Sequence, residues 1–107
     1  MAFNKLSPKD QAIILSCLTF ILNSSFIDDA EFHSRLGIDR RKLNDIIAAF
    51  PTINTEVDPL IDITVNNCLN EIVNGLDVPQ DDWVKWFKIS KEEVKQVYQR
   101  WLQVASS

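Results

Sequence analysis

Histidines, cysteines and clustered carboxylates are the side chains from which catalytic and metal sites are built, and this 107-residue chain spaces few of them usefully. Its one histidine, His33, has Asp29 a helical turn before it. Asp29 could pair with the imidazole or join it as a second metal ligand, but two ligands do not make a specific site. Cys17 and Cys68 are far apart in the chain and have no histidine in register. No glycine-rich phosphate loop and no paired-carboxylate or cysteine–histidine signature is present. The expectation is a protein that is not an enzyme, with no cofactor, no metal and no catalytic residues.

The remaining candidates concern recognition. Asn66, Asn70 and Asn74 recur at i, i+4 spacing beside Asn67, and four asparagines in one helix cost roughly half a kcal/mol each relative to alanine. Either their amides tie down neighbouring loops or they face a partner. Trp86 stands near Asp81 and Asp82, as a packed ring or as an aromatic anchor in an acidic surface. Phe32 to Ile46 is similar to a helix-turn-helix with Gly37 in the turn, which would send Arg40, Arg41, Lys42 and Asn44 into a DNA groove.

The elements that must position these residues follow from an internal likeness. Ser7 to Phe50 aligns without a gap on Asp58 to Trp101 at an offset of 51 residues, with six identities: Pro8/Pro59, Cys17/Cys68, Leu18/Leu69, Ile21/Ile72, Asn23/Asn74 and Ile38/Ile89. Apolar positions coincide as well, among them Ile14/Val65, Phe32/Trp83, Leu43/Val94, Ile46/Val97 and Phe50/Trp101. Ser7-Pro8 and Asp58-Pro59 each place a capping oxygen before a proline at the first helical position. This predicts helices to about Asn23 and Asn74. Short second helices follow over Asp29–Leu36 and Gln80–Phe87, and third helices begin after Asp39 and Ser90. Ser90 with Glu93 fits a capping box.

The predicted fold is all-α: a single compact domain over residues 1–107, made of two tandem tri-helical repeats (7–50 and 58–101) of about six helices related by approximate two-fold symmetry. Repeats of about 50 residues are too small to be comfortable alone, so the two should pack together. The first helix is apolar almost all round and is read as a central core helix or an interface. Cys17 and Cys68 fall on apolar helix faces, where inert buried thiols are expected. A redox bridge would need their Cα atoms within about 7 Å.

The net charge is −4, and residues 54–107 carry nine acidic against five basic groups. That disfavours non-specific phosphate-backbone binding and suits a partner with a basic surface. The apolar run Ala12–Leu22 is shorter than the about 20 residues that span a bilayer and recurs around Val65–Val73, so it reads as part of the fold. A cytoplasmic monomer or homodimer without membrane attachment is expected.

Glu31-Phe32-His33, Leu36-Gly37-Ile38, Asn66-Asn67-Cys68-Leu69-Asn70 and Arg100-Trp101 resemble a group of small bacterial all-helical proteins carrying EFHxxxG and NNxLN motifs. Where relatives of that kind have a Tyr-Pro-His-like segment after the asparagine-rich helix, this chain has Gly75 to Pro79. The resemblance implies a bacterial origin and a helical fold and brings no activity. The functional expectation is a helical module that binds another protein, such as an immunity factor, inhibitor or adaptor, through Trp86, Asp81, Asp82, Asn66, Asn70 and Asn74. The alternative is a helix-turn-helix DNA-binding protein using Arg40, Arg41, Lys42 and Asn44.

Overall fold

Ser7 opens the first helix as the Ser-Pro pair predicts: its Oγ accepts the N–H of Asp10 at 3.1 Å, and Pro8 takes the first helical position of α1 (Pro8–Asn23). The computed structural model describes residues 5–24, 27–49, 60–75, 83, 85 and 89–105. Among these the protein is all-helical, continuing with α2 (Asp29–Leu36), α3 (Arg40–Ala49), α4 (Leu60–Asn70) and α5 (Lys91–Ala105). The Cα radius of gyration is 12.9 Å, close to the about 13 Å of a compact 100-residue chain. No helix among the described residues is long and apolar enough to cross a membrane.

Each later helix entry that is described carries the cap its sequence announces. Asp28 Oδ1 accepts the N–H of Glu31 at 2.8 Å, Asp39 Oδ1 that of Lys42 at 2.8 Å, and Ser90 Oγ that of Glu93 at 3.2 Å. Helix α2 ends at Gly37 in the left-handed region (φ 80°), whose N–H returns to the His33 carbonyl at 2.8 Å. Glycine is needed there for its backbone, since a Cβ would meet only Asn67 Nδ2 at an ordinary 3.5 Å.

One predicted helix changes character. The α-helix beginning at Leu60 gives way after Asn70 to a π turn over Glu71–Gly75 instead of continuing regularly to Asn74. Glu71 stands where the aligned position of α1 has buried Phe20, and its carboxylate is held by Arg35 Nη2 at 2.8 Å. It also lies over Gly75, where a Cβ would come within 2.4 Å of Glu71 Oε2. A widened turn ending on glycine thus accommodates a charged side chain on what would otherwise be a core face. The predicted helix Gln80–Phe87, the Asp58-Pro59 cap, Phe50 and Lys88 lie outside the described residues, apart from buried Trp83 and exposed Lys85.

The core forms around α1, which packs against α3, α4 and α5, so the apolar circumference of this helix is used for burial. Ile14, Cys17, Leu18 and Ile21 of α1 and Val65, Cys68, Leu69 and Ile72 of α4 and its π turn are fully buried, as are Leu43 of α3 and Val94, Val97 and Trp101 of α5. Burial is therefore shared at the aligned positions 14/65, 17/68, 18/69, 21/72 and 43/94. Burying each such side chain contributes roughly 1.5–3 kcal/mol relative to exposure, set against the entropy of ordering the chain.

Candidate functional site

Arg40 has the densest set of polar contacts in the described structure: four part-buried bonds to backbone carbonyls and one exposed bond to a carboxylate. Its Nη1 donates to the carbonyls of Leu22 at 2.5 Å and Ile21 at 3.5 Å, its Nη2 to those of Ile27 at 2.5 Å and Ser24 at 3.2 Å, and its Nε to Asp29 Oδ1 at 2.6 Å. The guanidinium also lies 4.4 Å from the centre of the Phe32 ring. All five N–H groups of an arginine are thereby engaged, and the end of α1, where carbonyls lack helical partners, gains a cation on its negative dipole end. As the leading DNA-contact candidate, Arg40 is occupied by the fold. Arg41 and Asn44 are exposed on α3 and Lys42 is half-buried. The depression of about 280 Å³ beside them is lined by Asp29 and Asp39 as well as Arg40 and Arg41, so it has no single sign of charge.

Asp29 spends its carboxylate on Arg40, 11 residues ahead, and not on His33. His33 is exposed on α2, whereas both thiols, Cys17 of α1 and Cys68 of α4, are buried. Burial, first of all, raises both thiol pKa values: Cys68 is pushed up to about 12 with help from the Glu71 charge, and Cys17 is pushed up with help from Cys68. Both are held as neutral thiols, which are poor nucleophiles. Among the described residues no group of three or more His, Cys, Asp or Glu is placed to hold a metal ion.

The asparagines differ in what they bond within the fold. Asn67 Nδ2 donates to the Leu36 carbonyl at 3.0 Å, fastening α4 to the turn that ends α2. Asn74 Nδ2 donates to Asn70 Oδ1 at 3.0 Å, and the Tyr98 hydroxyl of α5 reaches the same oxygen at 3.5 Å. Asn70 and Asn74 are exposed and Asn66 is half-buried. The outward row of α4 begins with Ile63, which is 53% exposed and lies three residues before Asn66. Trp86, Asp81 and Asp82 lie outside the described residues.

Sequence reasoning missed three features. Ile63 aligns with Ala12, and its exposure follows from where α4 meets its neighbours. Arg100 grips Asp10 with two bonds, Nε to Oδ2 at 2.7 Å and Nη2 to Oδ1 at 2.9 Å, beside a cleft of about 480 Å³ that also involves Lys5 and Lys9. This hydrogen bond to Asp10 raises the Arg100 pKa. Arg35 bridges Glu71 and, more distantly at 3.8 Å, Glu31. The only signal for these ion pairs was a charge at a position whose aligned partner is apolar: Asp10 against Ile61, Glu71 against Phe20 and Arg100 against Ala49. No family model, curated protein or solved structure matches the chain.

Proposed function

We propose that the chain is a non-enzymatic cytoplasmic module of two tandem three-helix segments that binds another protein, in the manner of an immunity factor, inhibitor or adaptor. The observation that carries this reading is the outer row of α4. Ile63, 53% exposed, stands in register with Asn66, Asn70 and Asn74, while nearly every other large apolar side chain described is covered; Leu102, at 40%, is the exception. An exposed branched side chain next to amides offers an apolar anchor with neutral donors and acceptors at its rim, the usual layout of a protein-binding patch. The acidic balance of residues 54–107 favours a partner with a basic surface. The DNA-binding alternative has less support, because its first cation is committed to α1 carbonyls.

Affinity capture with the tagged full chain and with Ile63→Asp, from nuclease-treated and untreated lysate, tests this reading. A protein retained through nuclease treatment by the parent chain and lost by Ile63→Asp is the expected result. Equal retention by both chains removes the α4 row as the site. Recovery that disappears with nuclease replaces the proposal by the nucleic-acid reading.

A further inference from the structure

Three cations line the cleft of about 480 Å³ where the start of α1 meets the last turns of α5: Lys5 just before α1, Lys9 in its first turn, and Arg100 of α5. In a chain with a net charge of −4, the lining sets a single carboxylate, Asp10, against them. That buried carboxylate is held by Nε and Nη2 of Arg100 at 2.7 and 2.9 Å, and the pair has no net charge, so the two lysines set the sign of the cleft. The fold accounts for the Asp10–Arg100 pair, which joins α1 to α5, but it leaves donors over. Nη1 of the half-exposed Arg100, the Lys9 ammonium and the Gln103 amide make no hydrogen bond among the described residues. Pro8 has no N–H to offer and that of Asp10 is taken by Ser7 Oγ at 3.1 Å, so the donors of the cleft come from side chains of two elements and not from a helix end. Buried Leu6 and half-buried Val104 supply an apolar wall.

We propose that this cleft binds a small soluble molecule through its phosphate or pyrophosphate group, at a site separate from the outer row of α4. Phosphoryl oxygens accept several charge-assisted hydrogen bonds at once, which suits two ammonium groups and the remaining edge of a guanidinium better than a single carboxylate does. A recess lined by one predominant sign of charge also concentrates the field on a multiply charged anion. The volume lies within the about 300–1,000 Å³ usual for small-molecule sites, which leaves room for an organic portion against Leu6 and Val104. A nucleic acid fits less well, because the cations are gathered in one recess and Arg41 and Lys42 of α3 do not line it. All three cations are exposed to solvent, so binding is weak: the dissociation constant for pyrophosphate is on the order of 1 mM at low salt and rises with ionic strength.

The test follows the amide NMR spectrum of the nitrogen-labelled full chain during titration with sodium pyrophosphate to about 10 mM, beside a sodium chloride titration of matched ionic strength. Saturable shifts are expected for amides between Lys5 and Asp10 and between Arg100 and Val104. Lys5→Gln/Lys9→Gln should raise the dissociation constant about tenfold. Lys91→Gln/Lys95→Gln removes the same charge from the exposed start of α5, outside the cleft, and should leave binding within about twofold of the parent. All four lysines are exposed, and a dispersed spectrum confirms that each variant is folded. Shifts reproduced by chloride, shifts that do not saturate, shifts centred on Arg41 and Lys42, or equal weakening by the two double variants would each overturn the proposal.

Discussion

The two buried thiols make the protein's stability in alkali a sensitive test of the core. In the unfolded chain a cysteine ionises near its ordinary value of about 8.5, whereas in the folded chain Cys68 is pushed up to about 12 and Cys17 is also raised, burial being the main cause for both. Folded-state values above the unfolded value mean that the contribution is intact below about pH 8.5 and is lost as the pH climbs toward 12, since only the unfolded chain releases the protons. The loss is about 1.4 kcal/mol per pH unit and per thiol, so at pH 10 the two thiols together withdraw about 4 kcal/mol. That is a large part of the stability of a small domain, typically about 5–15 kcal/mol. Urea titrations from pH 7 to 10.5 under a phosphine reductant, on the parent chain and on Cys17→Ala/Cys68→Ala, measure it. The double variant should begin less stable, because it has lost two packed sulfurs, and should fall with a shallower slope. Lysine and tyrosine titration is common to both chains and drops out of the difference. Parallel slopes would show that the thiols ionise as readily folded as unfolded, and would refute their burial in the core.

Arg40→Ala should cost about 3 kcal/mol in urea unfolding, with Arg40→Lys recovering little of it, because lysine cannot span the four carbonyls and Asp29 at once. A loss below about 0.5 kcal/mol would free Arg40 for the DNA-binding reading. Asn67→Ala should cost about 1 kcal/mol by leaving the Leu36 carbonyl unpaired, against less than about 0.5 kcal/mol for Asn74→Ala at the exposed end of the row; equal effects would contradict this division of the asparagines.

Much of the helical architecture was legible because it rests on local rules. Ser7, Asp28, Asp39 and Ser90 cap the helices that their sequence contexts announce, and the apolar stripes of α1, α3 and α5 are the buried ones. The π turn was not legible, because it depends on a long-range partner: Glu71 is reached by Arg35, 36 residues earlier, and propensity within the helix carries no trace of that. The same holds for Arg40. Its position at the start of a helix after a glycine turn suits a DNA contact as well as a scaffold, and its bonds to the carbonyls at the α1 terminus depend on tertiary placement that the local sequence does not carry.

The places where aligned positions disagree in chemistry show where function can reside. Asp10 against Ile61, Arg100 against Ala49 and Glu71 against Phe20 are charged residues at aligned apolar positions, and each is used internally, as is Asn67, which stands against Ser16. Asp10 and Arg100 join α1 to α5, Glu71 receives Arg35 from α2, and Asn67 secures the end of α2. These exceptions link the first segment to the second and make the two unequal, so they are accounted for without invoking a ligand. The outer row of α4 is a different kind of exception. Ile63 stands against Ala12, Asn66 against Leu15 and Asn70 against Thr19, so apolar bulk and amide groups have been gained on a face where no helix–helix bond uses Ile63. An exposed isoleucine gains nothing from solvent, and Ala12 shows that a smaller residue is compatible with the aligned position. Under the proposed reading, Asp10, Glu71 and Arg100 serve the fold by joining the segments, and the neutral row headed by Ile63 is the face that meets the partner.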